Sequence, residues 1–243
     1  MEDARFAAAV AAAMQDVGGK GIGTMREKTL HLALKYFFAP DAECHEKTIG
    51  AFIADAVTED GVFEIQTRGF ANLRTKLAAF LEVCPVTVVH PIANPKWLYT
   101  VDENGVLLSK RKSPKHETIF TAMRELYTLR ELITNPRLRI CFVYVETAEY
   151  RLKSSRRGKR GEKLDRVPLS LLGMEHYASP QDYLRLLPEG LPMPFSVKQA
   201  ADLLRADENA VRMLLSLLMR LDVTEKAGKS GNATLWRVRE GFV

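Results

Sequence analysis

Three polar side chains stand where apolar ones are expected. Residues 52–67 read FIADAVTEDGVFEIQT, two apolar runs meeting at the turn Asp60-Gly61. This is the signature of a β-hairpin. Asp55 interrupts the first run, and Glu64 and Gln66 interrupt the second. Burying a lone carboxylate costs several kcal/mol, so such groups shift their pKa, pair, or hold a metal. Side chains alternate across a strand, so Ile53, Asp55 and Val57 share one face, and Glu64 and Gln66 share a face of the next strand. The three polar groups can therefore converge. Two close carboxylates repel, and one divalent cation relieves that repulsion. Mg2+ (or Mn2+) accepts one or two carboxylates together with waters and substrate phosphate. Such an ion can activate water and neutralise charge on a cleaved phosphodiester. A hydrogen-bonded polar cluster in a core strand is the alternative reading of the same three residues.

The elements around the hairpin must position this trio. Upstream, TMREKTLHLALKYFF at 24–38 carries Leu30, Leu34 and Phe37 or Phe38 at helical spacing, and Pro40 ends it. Thr24 and Glu27 have the spacing of a capping box. Strands are expected at 47–58 and 61–67, a helix at 70–83, and a buried β-branched strand at 85–92. A hairpin follows, turned at Asn104-Gly105, then an amphipathic helix at 118–133 and a long strand at 137–152. Strands alternating with helices imply an α/β layer on a mixed sheet.

This order, with an Asp, a hairpin turn, a Glu-x-Gln and a preceding helix that carries a Glu, resembles the PD-(D/E)XK nuclease superfamily over residues 24–152. The resemblance implies a restriction-endonuclease-like core, a mixed sheet flanked by helices, and metal-dependent hydrolysis of nucleic acid. It implies that Asp55 and Glu64 are metal ligands and that Glu27 matches the helical Glu of many members. Gln66 stands where the family usually has Lys. An amide can orient a water but supplies no charge. Ala54 stands in place of the family's Pro.

The last 50 residues differ in texture. Ser196 can cap a helix over SVKQAADLLRA and Asp207 one over ENAVRMLLSLLMRL, and VTEKAGKSGNATLWRV follows as two short strands. The pattern resembles a winged helix-turn-helix over residues 191–243. Val211, Leu214, Leu215, Leu218 and Leu221 form its buried stripe, with Trp236 packed beneath the wing. On DNA, Asn209, Arg212, Ser216 and Arg220 would face the groove, and Lys226 and Lys229 would meet phosphate. Asp207 and Glu208 oppose that role, and docking a protein is the other use of such a module.

Charge is local. The 243 residues carry a net +5, yet residues 151–166, RLKSSRRGKRGEKLDR, alone carry +6. With KRKSPK at 110–115, this gives Lys110, Arg111, Lys112, Lys115, Arg156, Arg157, Lys159 and Arg160 as candidates for a nucleic-acid backbone, bound through counterion release. A solvated loop is the plainer reading. Residues 153–190, basic and then marked by Pro180 and Pro188, are expected as a connector after a 1–23 tail and the 24–152 core. Cys44, Cys84 and Cys141 have no paired spacing, which argues against a disulfide framework or zinc ribbon and fits a reducing cytoplasm. No run of 18 apolar residues marks a membrane span, and the N-terminus lacks the basic start of a secretion signal. His31, His45, Glu46, Asp102, Glu103, Thr67, Arg68 and Lys76 are weaker candidates. The expectation is a cytoplasmic, bacterial-type nuclease acting on DNA, as a homodimer if both strands are cut. The rivals are a nuclease fold that binds DNA without cutting it and a protein-interaction adaptor.

Overall fold

The computed structural model describes residues 2–16, 29–154 and 161–242. Glu27, Arg156, Arg157, Lys159 and Arg160 lie outside the described residues. The chain forms α1 (Glu2–Asp16), α2 (Thr29–Phe38), β1 (His45–Ile49), β2 (Phe52–Thr58), β3 (Gly61–Ile65), α3 (Arg74–Val83), β4 (Val86–Val101), β5 (Leu107–Lys112), α4 (Ile119–Thr128), β6 (Leu138–Leu152), β7 (Lys163–Tyr177), α5 (Pro180–Leu184), β8 (Phe195–Ser196), α6 (Val197–Leu204), α7 (Glu208–Arg220), β9 (Thr224–Ser230) and β10 (Ala233–Val238). Two compact units share these elements. One comprises Met1–Thr67, Val88–Thr118 and Phe142–Glu175, and the other Arg68–Thr87, Ile119–Cys141 and His176–Val243.

The first unit is built on a mixed sheet in the order β1-β2-β3-β4-β6-β7, with β5 paired to β4. The mixed α/β class expected from the alternating pattern is what the structure shows. The run ICFVYV explains why β6 is central: it is apolar on both faces, and Cys141, Phe142, Val143 and Val145 are buried. β4 and β6 run parallel. Val86 N–H donates to the Arg137 carbonyl near their starts, and Lys153 N–H to the Val101 carbonyl at their ends. β1, β2 and β3 form an antiparallel meander. α2 buries Leu30, Ala33, Leu34 and Phe37, and α1 closes over it with Phe6 edge-on to Phe37 at 5.5 Å. Small Ala9 and Ala13 on the inner stripe of α1 let the two helix backbones approach closely.

Three expectations need correction. The stretch read as one strand at 47–58 is two, because Gly50 adopts a left-handed φ of +59° and turns β1 onto β2. The strand read at 85–92 continues to Val101 as β4. Residues 163–177, read as part of a connector, form β7 in the main sheet. Pro168 and Gly173 break its apolar alternation, and that hid the strand.

The second unit packs Phe70, Leu77, Phe80, Met123, Leu126 and Leu214 into its core. Its C-terminal part is α6, α7 and a three-stranded sheet in the order β8-β10-β9. Ser196 caps α6 in a reciprocal box with Gln199, and the Asp207 side chain caps α7. All five residues of the expected α7 stripe are buried, and Leu217 is buried too, because α7 also packs on α4. Trp236 is buried in the same unit. Among the described residues no helix is long and apolar enough to cross a membrane.

Candidate active site

The hairpin β2–β3 holds its carboxylates in an unusual way. The backbone ladder runs from Thr58–Gly61 to Ala56–Phe63. At the next step, where Asp55 stands opposite Glu64, side chains take over. Asp55 N–H donates to Glu64 Oε1 at 3.2 Å, and Ile65 N–H donates to Asp55 Oδ2 at 2.8 Å. Each acid reaches across to the other's strand, so the two carboxyls share one gap between β2 and β3. Opposed residues of an antiparallel pair point to the same side, and this geometry brings the two expected ligands together.

The two acids differ in burial. The Asp55 side chain is 19 % exposed, while Glu64 is 2 % exposed. The third group at the site is His31 on α2, with Nε2 at 3.3 Å from Asp55 Oδ2. α2 is fixed at its start by Thr29, whose N–H (3.2 Å) and hydroxyl both donate to the Asp165 carboxylate of β7. One turn beyond His31, the buried Lys35 pairs with Glu46 of β1. The helix is thus held at both ends, and His31 is held with it.

Gln66 follows directly after β3. Its N–H donates to the Val89 carbonyl at 2.8 Å, and its own carbonyl lies 2.7 Å from His90 Nδ1. His90, buried and edge-on to Phe142 at 6.0 Å, therefore locks the backbone of the glutamine. Sequence reasoning missed His90 because it sits inside the apolar run PVTVVHPI. Thr67 is exposed beside the site, and Asp102 ends its strand as a turn residue that accepts from Asn104 and Val106 N–H.

The donor set fits a hard cation: two oxygen carboxylates, one partly open to solvent. Among the described residues no group of three or more His, Cys, Asp and Glu side chains is arranged to hold a metal by itself. An ion at Asp55 and Glu64 would take its remaining ligands from water and substrate, the usual situation of Mg2+.

The expected backbone contacts fall in two places. Lys110, Arg111 and Lys112 lie on the fully exposed strand β5, with Lys115 exposed just beyond it. Lys110 Nζ sits over Trp97 at 4.8 Å and Tyr99 at 5.3 Å. In the second unit, Lys226 and Lys229 are exposed on β9. Arg212 pairs with Glu208 at 2.5 Å, and Arg220 pairs with Glu131. Those two arginines are already engaged on or against their own helix face. Asn209 is also tied there, accepting from Arg212 at 2.9 Å.

A second polar cluster, on β4, β6 and β7, escaped the sequence reading. Glu149 is only 3 % exposed. It accepts from Arg151 Nε at 2.8 Å and Lys163 Nζ at 3.0 Å, with Arg166 at 3.6 Å. Burial pushes this carboxyl up, but Lys163 and Arg151 outweigh burial and hold it down at about 2. Close by, Lys96 donates to Glu117 at 2.6 Å. Burial acts upward on Glu117 as well, and Lys96 and Arg166 hold it below the usual carboxylate range. The available signal was the period-two row Thr147, Glu149, Arg151, polar at every second place beyond the apolar centre of β6.

Comparison with known proteins adds relatives without an assigned activity. A protein of Treponema pallidum (strain Nichols), described as "Uncharacterized protein", is 29 % identical over 220 residues, covering 89 % of this chain and 87 % of that one. No solved structure matches. Residues 28–177, which include every side chain of both clusters above, match the family described as "Domain of unknown function (DUF8091)", and the chain belongs to that family.

Proposed function

We propose that the Asp55–Glu64 gap is the active site of a metal-dependent nuclease with a restriction-endonuclease-like core. One observation carries this reading: the two acids stand opposite each other, each bonded to the other's strand, at the point where the β2–β3 ladder gives way to side chains. The order helix, three-strand meander, helix, strand over α2–β4 supports it, since the PD-(D/E)XK resemblance implies an order of this kind around its acids.

Asp55 and Glu64 would hold Mg2+ or Mn2+, and the bound ion would supply positive charge at the scissile phosphate and acidify water. The chain's own residues do the rest. Gln66 orients the attacking water with its amide, which the His90-locked backbone keeps in place. Water oxygen bonds to phosphorus and gives up a proton to solvent, the bond from phosphorus to the leaving sugar oxygen breaks, and solvent protonates that oxygen. His31 holds the Asp55 carboxylate in its orientation. Lys110, Arg111, Lys112 and Lys115 attract the nucleic-acid backbone, and the α6–α7–wing segment, read as a winged helix, offers Lys226 and Lys229 for further phosphate contact. These contacts carry no sequence information, so binding weakens steeply with salt.

The test is cleavage of supercoiled plasmid with Mg2+ or Mn2+, beside Asp55→Asn and Glu64→Gln. Metal-dependent nicking by the wild type, reduced at least a hundredfold in both variants, supports the site. Cutting that persists unchanged in the variants refutes it. Tight binding with no cutting by the wild type replaces it with a non-catalytic DNA-binding role. Absence of nucleic-acid binding at low salt replaces it with the adaptor.

A further inference from the structure

The first unit contains a cleft of about 480 Å³ apart from the carboxylate pair. Lys96, Arg111, Lys115 and Arg151 line it, with Ser113, Thr100 and a single acid, Glu149. Four cations thus face one carboxylate. Adding the groups bound just behind the wall, Lys163 and Arg166 on Glu149 and Glu117 on Lys96, leaves six cations and two acids, a net +4. Like charges do not gather this way in a concave space without a counter-charge.

The wall is built rather than incidental. Buried Glu149 fixes Arg151, and Glu117 fixes the Lys96 ammonium, whose side chain is 8 % exposed. The Lys96 carbonyl accepts from Ser113 N–H at 2.8 Å, and the buried Ser113 hydroxyl accepts from Lys115 N–H at 3.2 Å. The loop carrying Lys115 is thereby tied to the strand carrying Lys96. Arg111 and Lys115 have no carboxylate partner among the described residues. Behind Glu149, the Arg166 Nε–H is buried without an acceptor among the described residues.

We infer that this cleft is a binding site for a terminal phosphate or diphosphate group. A flat basic surface suits the monoanionic diesters of a passing strand. A concave site with cations pre-ordered by buried carboxylates suits a compact, multiply charged anion, which repays desolvation through several charge-assisted hydrogen bonds. Arg111 and Lys115 at the rim supply unpaired charge, and Lys96 and Arg151 supply fixed donors at the base. The phosphate can come from a free nucleotide or from the 5′ end of a nucleic-acid strand.

Isothermal titration with inorganic pyrophosphate tests the site on the full chain. Saturable one-to-one binding is expected, weakened at least tenfold in Arg111→Ala/Lys115→Ala and unchanged in a control that removes the exposed Lys47 of β1, Lys47→Ala. Both rim residues are exposed, so the double variant folds, and its circular dichroism spectrum verifies this. Asp55→Asn must bind pyrophosphate as the wild type does, which separates this inference from the nuclease reading. Tighter binding of a 5′-phosphorylated than of a 5′-hydroxyl oligonucleotide, lost in the rim variant, upholds the site and assigns it to a strand end. Pyrophosphate binding without that preference upholds it and assigns it to a free nucleotide. No saturable pyrophosphate binding, or equal binding by the rim variant, overturns it.

Discussion

Glu149→Gln removes one charge and almost no volume, which makes it a clean probe of the cationic cluster. The carboxyl is held at about 2 in the folded protein against an ordinary 4.5. At about 1.4 kcal/mol per pH unit, that difference is roughly 3 kcal/mol of stability at neutral pH. Mutational experience agrees in size, since removing one partner of a buried charge pair costs about 3–5 kcal/mol. The sign is fixed by the direction. A depressed carboxylate contributes fully above its unfolded pKa and loses its contribution as pH falls through 4.5 towards 2. The gap between wild type and variant is therefore widest at pH 7 and falls below half its size by about pH 3. For a chain of this length, about 3 kcal/mol lowers the melting temperature by roughly 6–12 °C. Thermal unfolding followed by circular dichroism at pH 7 and pH 3 reads both. A shift under 2 °C at pH 7, or an equal gap at the two pH values, would show that Glu149 does not hold the cluster together.

Two further outcomes follow from the fold. Burial pushes the Cys141 thiol up to about 12, so it stays unreactive towards a thiol reagent at pH 8 until the protein is denatured, while half-buried Cys44 and Cys84 react in the folded state; equal reactivity of all three would contradict the packing of β6. Ser196→Ala removes one half of the α6 capping box and destabilises by about 1 kcal/mol in urea titration, and an unchanged midpoint would show that the box is not formed in solution.

The sequence revealed local patterns well and long-range partners poorly. Asp55 and Glu64 could be paired because a hairpin register follows from one Asp-Gly turn and a period of two. The capping residues Ser196 and Asp207 and the α7 stripe were legible for the same reason: each depends on neighbours within a few positions. Glu149 and its three cations lie on two strands, and Pro168 and Gly173 disguise the second of them, so the row Thr147, Glu149, Arg151 gave no sign of its partners. His90 was hidden inside an apolar run, since its partner, the Gln66 carbonyl, is 24 residues away. The groups gathered by the sheet, rather than by a turn or helix, are the ones that required the structure.

Plasmid cleavage depends on offering the right substrate, whereas metal binding does not. The most direct measurement is therefore Mn2+ binding by electron paramagnetic resonance on the full chain, wild type beside Asp55→Asn and Glu64→Gln. The account predicts one bound Mn2+ per chain in the wild type, displaced by excess Mg2+ and lost or weakened at least tenfold in both variants. No bound Mn2+ in the wild type, or the same binding in either variant, would contradict it.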